Sequence, residues 1–231
     1  MPSTLTTKIF FVFVALCFSL VVSSQDEEQE DDIDIEINEQ DFTRQRFASF
    51  NLGYNAPITT GENFMGDGLK GRGGMNFRFH LYPYKQFFVG VGLGQNYFKV
   101  KNKALVGNYQ KTTLTEQYLY VGYEFLPAEK MRLGVSASLI GDAQFKNKYN
   151  LQSDNVSQTD HGRLASYGLY FNYEIGGNFM VFIDYSYKTS KTKINVPTEL
   201  QSTFNRGTYH NIGFGLVFVM GTNDFLSRFL D

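Results

Sequence analysis

Residues 87–94 read FFVGVGLG, and this stretch decides the fold. Its side chains alternate between two faces: Phe87, Val89, Val91 and Leu93 against Phe88, Gly90, Gly92 and Gly94. A period of two is typical of a β-strand, because successive side chains point to opposite sides. The glycines lack the GxGxxG spacing of a nucleotide-binding loop. We therefore predict a strand whose glycines leave room for Tyr118, Tyr120 or an arginine on the opposite side.

The same alternation recurs in seven further segments, so the sequence predicts eight strands. Their apolar faces run through residues 48–54, 75–81, 119–125, 131–139, 167–175, 179–187 and 212–218. Short connections at 82–86, 126–130 and 176–178 alternate with long ones at 57–70, 99–110, 146–162 and 189–205. Short turns at one end and long polar loops at the other are typical of outer-membrane barrels, whose short turns are periplasmic.

A membrane barrel and a soluble barrel differ in whether the apolar face of the strands points outward or inward. In a lipocalin-like carrier, the apolar face lines an internal cavity. Here the polar face consists mainly of Gly, Ser and Asn with few charges, which is sparse for a solvent face and suitable for a narrow interior. We predict an all-β, eight-stranded, antiparallel up-and-down transmembrane β-barrel over residues 44–220, with a soluble lipocalin-like binding barrel as the less favoured alternative.

The N-terminus predicts export. Lys8 precedes an apolar run at 9–22, which ends in small residues before Gln25. This run is shorter than the ~20 residues of a membrane-spanning helix, so residues 1–24 are predicted to be a cleaved signal peptide. The chain's single cysteine, Cys17, would leave with it. The expected location is the cell outer membrane of a Gram-negative bacterium.

An acidic segment follows the predicted signal peptide. Of residues 26–41, ten are Asp or Glu and none is Lys or Arg, so we predict a disordered periplasmic leader over residues 25–43. Residues 42–231 contain 13 acidic and 20 basic residues, so the body is basic. The leader either binds a periplasmic partner or is only a solvated segment. Residues 221–231 are predicted to form a short periplasmic tail.

Two groups of charged residues are candidate functional sites. We predict a polar network inside the barrel, in which arginines pair with carboxylates and largely plug the lumen, although the same network would also suit a narrow gated pore. Its members are Arg78, Glu124, Arg132, Glu174, Asp184 and Lys188. We also predict a basic rim at the long-loop end, which either contacts lipopolysaccharide phosphates or simply solubilises the loops. Its members are Lys99, Lys101, Lys103, Lys111, Lys146, Lys148, Lys191 and Lys193.

The sequence offers no pattern for catalysis or for a cofactor. His80 and His210 are predicted at opposite ends of the barrel, and His161 in a loop. No nucleophile–base pair and no metal-ligand spacing accompanies them. We therefore expect no enzyme activity, no cofactor and no metal. Nucleic acid is an unsuitable partner for a surface rim, and we expect a monomeric barrel in contact with outer-membrane lipid.

Over about residues 44–220, the strand pattern and the loop asymmetry resemble the small outer-membrane β-barrel domain family of Bacteroidota, similar in build to the OmpA-type transmembrane barrel. The resemblance implies fold and location, and it transfers no functional residue. Two functions are compatible with it. One is a structural or surface-interaction barrel with a plugged lumen, and the alternative is a narrow channel or small-ligand transporter.

Overall fold

The computed structural model describes residues 44–149 and 157–227. Within them, eight strands pair in sequence order and β8 pairs with β1, so the sheet closes into a barrel. All the pairings are antiparallel. The strands are β1 Ala48–Thr59, β2 Leu69–Tyr84, β3 Phe87–Val100, β4 Tyr109–Ala128, β5 Met131–Tyr149, β6 Ser157–Gly176, β7 Phe179–Thr192 and β8 Arg206–Met220. The predicted eight-stranded up-and-down barrel is confirmed.

Three tight turns define one end of the barrel, called here the short-turn end. They follow β2, β4 and β6, at 85–86, 129–130 and 177–178. Gly177 has φ +55° and Lys85 has φ +47°. The commonest two-residue hairpin turns place one or both residues at positive φ, which glycine adopts without a steric penalty. The sequence therefore marks the turn at Gly177 directly, whereas the turn at Lys85 has no such signal.

Short helices form in the described loops at the opposite end, called here the long-loop end. They are α1 Phe64–Gly68, α2 Lys103–Val106, a 3₁₀ turn Thr198–Leu200 and α3 Gln201–Phe204. The side chain of Asn63 caps α1 by accepting hydrogen bonds from the amides of Met65 and Gly66, at 3.0 and 3.1 Å. None of the described helices is long and apolar enough to cross a membrane.

The strands extend further towards the long-loop end than predicted. Pro57, Lys99 and Lys146 were predicted in loops, but they pair with Asn211, Lys111 and Thr159 of neighbouring strands. His161 was also predicted in a loop and instead lies in β6 opposite Gln144. Where both faces of a strand are polar, the hydrophobic alternation fades while the backbone pairing continues, so the sequence pattern underestimates strand length.

The barrel exposes its apolar face. Within the described residues, thirty large apolar side chains on the strands are more than a third exposed, and all eight strands contribute to them. Leu52, Phe125 and Phe214 are 55, 52 and 60 % exposed. An apolar surface this extensive marks a membrane or a large interface, because soluble monomers rarely expose one. The soluble-carrier alternative required the opposite orientation, so the structure argues against it.

Several predicted segments lie outside the described residues. They are the signal peptide at 1–24, the acidic leader at 25–43, residues 150–156 of the third long loop and residues 228–231 of the tail.

Candidate functional site

Aromatic rings fill much of the barrel interior by lying over glycines on the neighbouring strand. Tyr118 lies opposite Gly92 and Tyr120 opposite Gly90 across the β3–β4 pair. In each case the ring occupies the space that a Cβ atom on the glycine would take. Two further pairs share this arrangement: Phe88 with Gly122 and Tyr170 with Gly134. Two glycines of the quoted stretch, Gly90 and Gly92, therefore make room for Tyr120 and Tyr118, two of the neighbours that the sequence suggested, whereas Gly94 lies against Glu116.

An ion-pair network closes the interior at the short-turn end. This network, called the base, consists of Arg44, Arg46, Glu124, Arg132 and Glu174. Arg132 donates from Nε to Glu174 at 2.7 Å and from Nη1 to Glu124 at 3.2 Å. Glu174 also accepts from Arg44 at 2.9 Å and from Arg46 at 3.1 Å. Each cation thus has a carboxylate partner, which offsets the cost of removing these charges from water.

Arg44 and Arg46 of the base were not predicted. Both precede β1, where no strand alternation marks them. Arg44 donates from Nη1 to the carbonyl of Ala128 at 2.7 Å, and its own carbonyl accepts from Arg132 at 2.6 Å. The segment before β1 is therefore fastened across the short-turn mouth by both side-chain and main-chain bonds.

Two tyrosines anchor the inner end of the base. Tyr82 and Tyr170 donate to Oε1 of Glu124 at 2.9 and 2.8 Å. Glu124 is almost fully buried, so these two bonds satisfy an oxygen that water cannot reach.

Two buried ion pairs form the middle layer of the interior, called the waist. Arg78 contacts Asp184 at 2.6 Å, and its guanidinium lies 4.9 Å from the centre of the Phe182 ring. Lys188 pairs with Glu116 and lies 4.9 Å from the ring centre of Tyr118. Lys188, which the strand pattern placed on the lumen face, is thus separate from the lysines of the rim.

Glu116 is the waist carboxylate that the sequence reading missed. Besides Lys188, it accepts hydrogen bonds from Tyr209 and from Asn96, the latter at 2.8 Å. It lies on the same face of β4 as Tyr118, two residues before that tyrosine. Extending the alternation of the fourth predicted strand by one period would have found it.

A small polar cavity lies in the waist between the two ion pairs. The space open to a water-sized sphere is ≈ 20 Å³, enough for about one or two water molecules. Arg78, Asn211 and Tyr120 line it, and each has a buried polar atom without a hydrogen-bond partner among the protein groups described. The cavity is therefore suited to water and too small for an organic solute.

An apolar cluster closes the interior at the long-loop end. This cluster, called the cap, joins α1 and α3 to the upper strands. The ring of Phe64 stacks on Phe204 with 5.4 Å between ring centres and meets Phe145 edge-on at 5.5 Å. The other buried members are Met65, Leu69, Phe98, Val100, Leu114, Ala143, Leu164, Ile194 and Tyr209. The sequence analysis did not predict the cap.

The three histidines lie apart. His80 is buried inside the barrel and stacks on Phe88 with 4.4 Å between ring centres. His210 contacts the Tyr185 hydroxyl at 2.6 Å, and the exposed His161 lies 3.8 Å from Asp142. No group of three or more His, Cys, Asp or Glu in the described residues is arranged to hold a metal.

The predicted rim lysines lie at the long-loop end, on strands and in loops. Lys99, Lys111 and Lys148 are on neighbouring strands and directly oppose one another. Lys146 also lies on β5, Lys191 lies on β7 opposite Arg206, and Lys103 begins α2. Lys101 donates to the carbonyl of Gly66 at 3.0 Å, and Lys193 is exposed in the β7–β8 loop.

The start of the C-terminal tail folds back onto the turn between β2 and β3. Asp224 accepts from the amide of Lys85 at 2.9 Å and from the amide of Ser227 at 2.8 Å. Burial raises the pKa of Asp224, but these hydrogen bonds outweigh it and the pKa lies below its usual value. The carboxylate also stabilises the positive φ of Lys85 by holding its amide.

Comparison with solved structures identifies similar barrels. The outer membrane protein OprG from Pseudomonas aeruginosa superposes with a TM-score of 0.51 at 11 % identity, over 77 % of this chain and 97 % of that one. The attachment invasion locus protein Ail of Yersinia pestis gives 0.47 at 17 % identity, over 75 % of this chain and 99 % of its own. No protein-family model and no curated protein sequence matches the chain. At 11 % identity the likeness to OprG shows the fold alone, that of a small outer-membrane barrel.

Proposed function

We propose that this protein is an outer-membrane β-barrel with a structural or surface-interaction role and a lumen that does not conduct. The observation that carries the proposal is the combination of an apolar exterior with an interior blocked at three levels, by the base, the waist and the cap. Any role in binding partners then falls to the outer surface and the loops. The proposed role is not enzymatic.

The dimensions of the apolar exterior fit a bilayer. On β1, the outward apolar side chains run from Phe50 to Ile58. Nine residues of strand tilted by about 40° span roughly 23 Å along the barrel axis, close to the apolar band of about 25 Å in outer-membrane barrels. Charged residues replace apolar ones above this band, for example Lys99 on β3.

Export and orientation form part of the same proposal. Residues 1–24 would be removed as a signal peptide, and the acidic leader at 25–43 would enter the periplasm together with the short turns. The base supports this orientation, since the leader leads directly into Arg44 at the short-turn end. Membership in the OmpA-type barrels of Bacteroidota is supported by the strand pattern alone.

A narrow channel is the second candidate. The polar waist favours it, because the cavity beside Arg78 and Asp184 offers unpartnered polar atoms to water. Conduction would require the base and the cap to open together. Opening the base would break several ion pairs at once, because Glu174 accepts from three of its arginines.

Planar-bilayer recording separates the two candidates. The full chain without residues 1–24 is reconstituted into a bilayer, and we expect no steady unit currents. Insertion is verified by flotation of the same preparation with vesicles, and a general porin added afterwards checks that the bilayer reports channels. Reproducible unit currents from inserted protein would establish the channel instead, and failure to float would refute the membrane assignment itself.

A further inference from the structure

Four lysines form one continuous row across four neighbouring strands. Lys70 of β2 pairs with Lys99 of β3, Lys99 pairs with Lys111 of β4, and Lys111 pairs with Lys148 of β5. We call these residues the lysine row. Lys70 was not among the predicted rim lysines.

The lysine row points away from the barrel interior. The residues beside it along the strands, Leu69, Phe98, Val100 and Thr112, are buried inside. Because neighbouring residues of a strand face opposite sides, the lysines lie on the outer surface. Lys70, Lys99 and Lys111 are exposed, and Lys148 is partly so.

The four positive charges of the row lie close together. Directly opposed residues have Cβ atoms about 5 Å apart, and like charges placed so are destabilising. No carboxylate among the described residues forms an ion pair with any of the four lysines. Arg72, exposed and two residues beyond Lys70, adds another positive charge nearby. A polyanion from outside the chain is the simplest source of compensation.

The surface below the row identifies the kind of polyanion. On β3, Tyr97 and Gln95 are the next two outward side chains below Lys99. Leu93, Val91 and Val89 follow them as an exposed apolar strip. Leu119 of β4 lies beside Val91 on the same surface. A ligand that satisfies both parts carries phosphates at one end and acyl chains at the other.

We propose that the lysine row binds the phosphates of an outer-leaflet lipid, lipopolysaccharide, whose acyl chains lie on the apolar strip beneath it. Each phosphate would lie between two opposed ammonium groups, and its negative charge would offset the repulsion between them. The inference rests on the proposed outer-membrane location and names one lipid partner for it.

The test compares two triple variants with the same loss of charge. The first, Lys99→Gln/Lys111→Gln/Lys148→Gln, removes the centre of the row. The matched control, Lys85→Gln/Lys130→Gln/Arg163→Gln, removes three exposed positive charges that belong neither to the row nor to the predicted rim. Binding of bisphosphorylated lipid A to the full chain in neutral micelles is measured by titration, with dephosphorylated lipid A and phosphatidylglycerol as comparison ligands.

We expect the row variant to bind lipid A at least tenfold more weakly, because it loses three of the four cations that would contact the phosphates. The control variant should stay within about twofold, and dephosphorylated lipid A should not distinguish the proteins. Thermal stability gives a second readout with opposite signs. The row variant should melt higher than wild type in phosphatidylcholine vesicles and lower once lipid A is added.

Three outcomes would overturn the proposal: unchanged lipid A affinity in the row variant, an equal loss in the control, or equally tight binding of phosphatidylglycerol. Flotation of both variants with phosphatidylcholine vesicles is recorded in parallel. Loss of binding with flotation intact concerns the row alone, whereas wild-type protein that does not float refutes the membrane location on which the inference rests.

Discussion

At the scale of single residues, the interior depends on charges that are buried together with their partners. Glu116 is fully buried and accepts from Lys188, Tyr209 and Asn96. Replacing both members of such a pair by neutral groups is often harmless, whereas removing one leaves an uncompensated charge in a poorly solvated site. This asymmetry makes the pair directly testable.

We predict that Lys188→Met destabilises the barrel by about 3–5 kcal/mol, because Glu116 loses its cation. The double variant Lys188→Met/Glu116→Gln should recover most of this loss, since a glutamine at 116 still accepts from Tyr209 and Asn96. Urea unfolding from phosphocholine vesicles provides the measurement. Lys191→Met, on the exposed face of the same strand, serves as the control and should change stability by no more than about 0.5 kcal/mol. A double variant as unstable as the single one would contradict this account.

At the scale of elements, the sequence predicted the strands through their apolar faces and failed where that signal ends. β4 begins at Tyr109, ten residues before the apolar face at Leu119, because the residues between carry Thr, Lys and Gln outward. Arg44 and Arg46 lie before any strand, so no periodicity marked them. The cap joins Phe64 to Phe204, two loop residues far apart in the chain, and no local pattern encodes such a contact.

A β-bulge in β5 shows how one residue changes an entire strand. Leu119 pairs with Ile140 and Tyr120 with Ser138, so Leu139 is the extra residue, and both Leu139 and Ile140 are exposed. A shift of one residue exchanges the two faces of a strand. Beyond the bulge, Phe145 therefore faces inward and joins the cap, whereas unbroken alternation from Met131 would have turned it outward.

The packing of aromatic rings over glycines predicts that adding a single methyl group at the β3–β4 pair lowers stability. In Gly92→Ala, the new Cβ would overlap the ring of Tyr118. Overpacking of this kind costs about 1–3 kcal/mol, against a gain of about 0.5–1 kcal/mol from replacing glycine in a strand, so we expect a net loss near 1 kcal/mol. In the Gly92→Ala/Tyr118→Ala double variant the two effects should not add, because the ring is gone. Additive losses in vesicle unfolding would show that ring and glycine do not interact.

At the scale of the whole molecule, the base, the waist and the cap are three barriers in series. The base is ionic and lies at the short-turn end, whereas the cap is apolar and lies at the long-loop end. An eight-stranded barrel is just wide enough for side chains to fill its interior, so the side chains that point inward decide whether it is closed. The closure thus depends on particular residues, and each barrier should be removable by itself.

We predict that opening one mouth exposes only the compartment beneath it. Two buried reporters test this in a Cys17→Ser chain: Ser49→Cys, between base and waist, and Ala143→Cys, within the cap. Arg44→Ala/Arg46→Ala should make the cysteine at 49 reactive towards a membrane-impermeant thiol reagent and leave that at 143 protected. Phe204→Ala should do the reverse, because it removes the ring stacked on Phe64. Labelling rates in proteoliposomes, compared with each reporter alone, give the readout. If opening either mouth labels both reporters, the waist does not separate the compartments. That result would contradict the closed lumen and support the narrow channel.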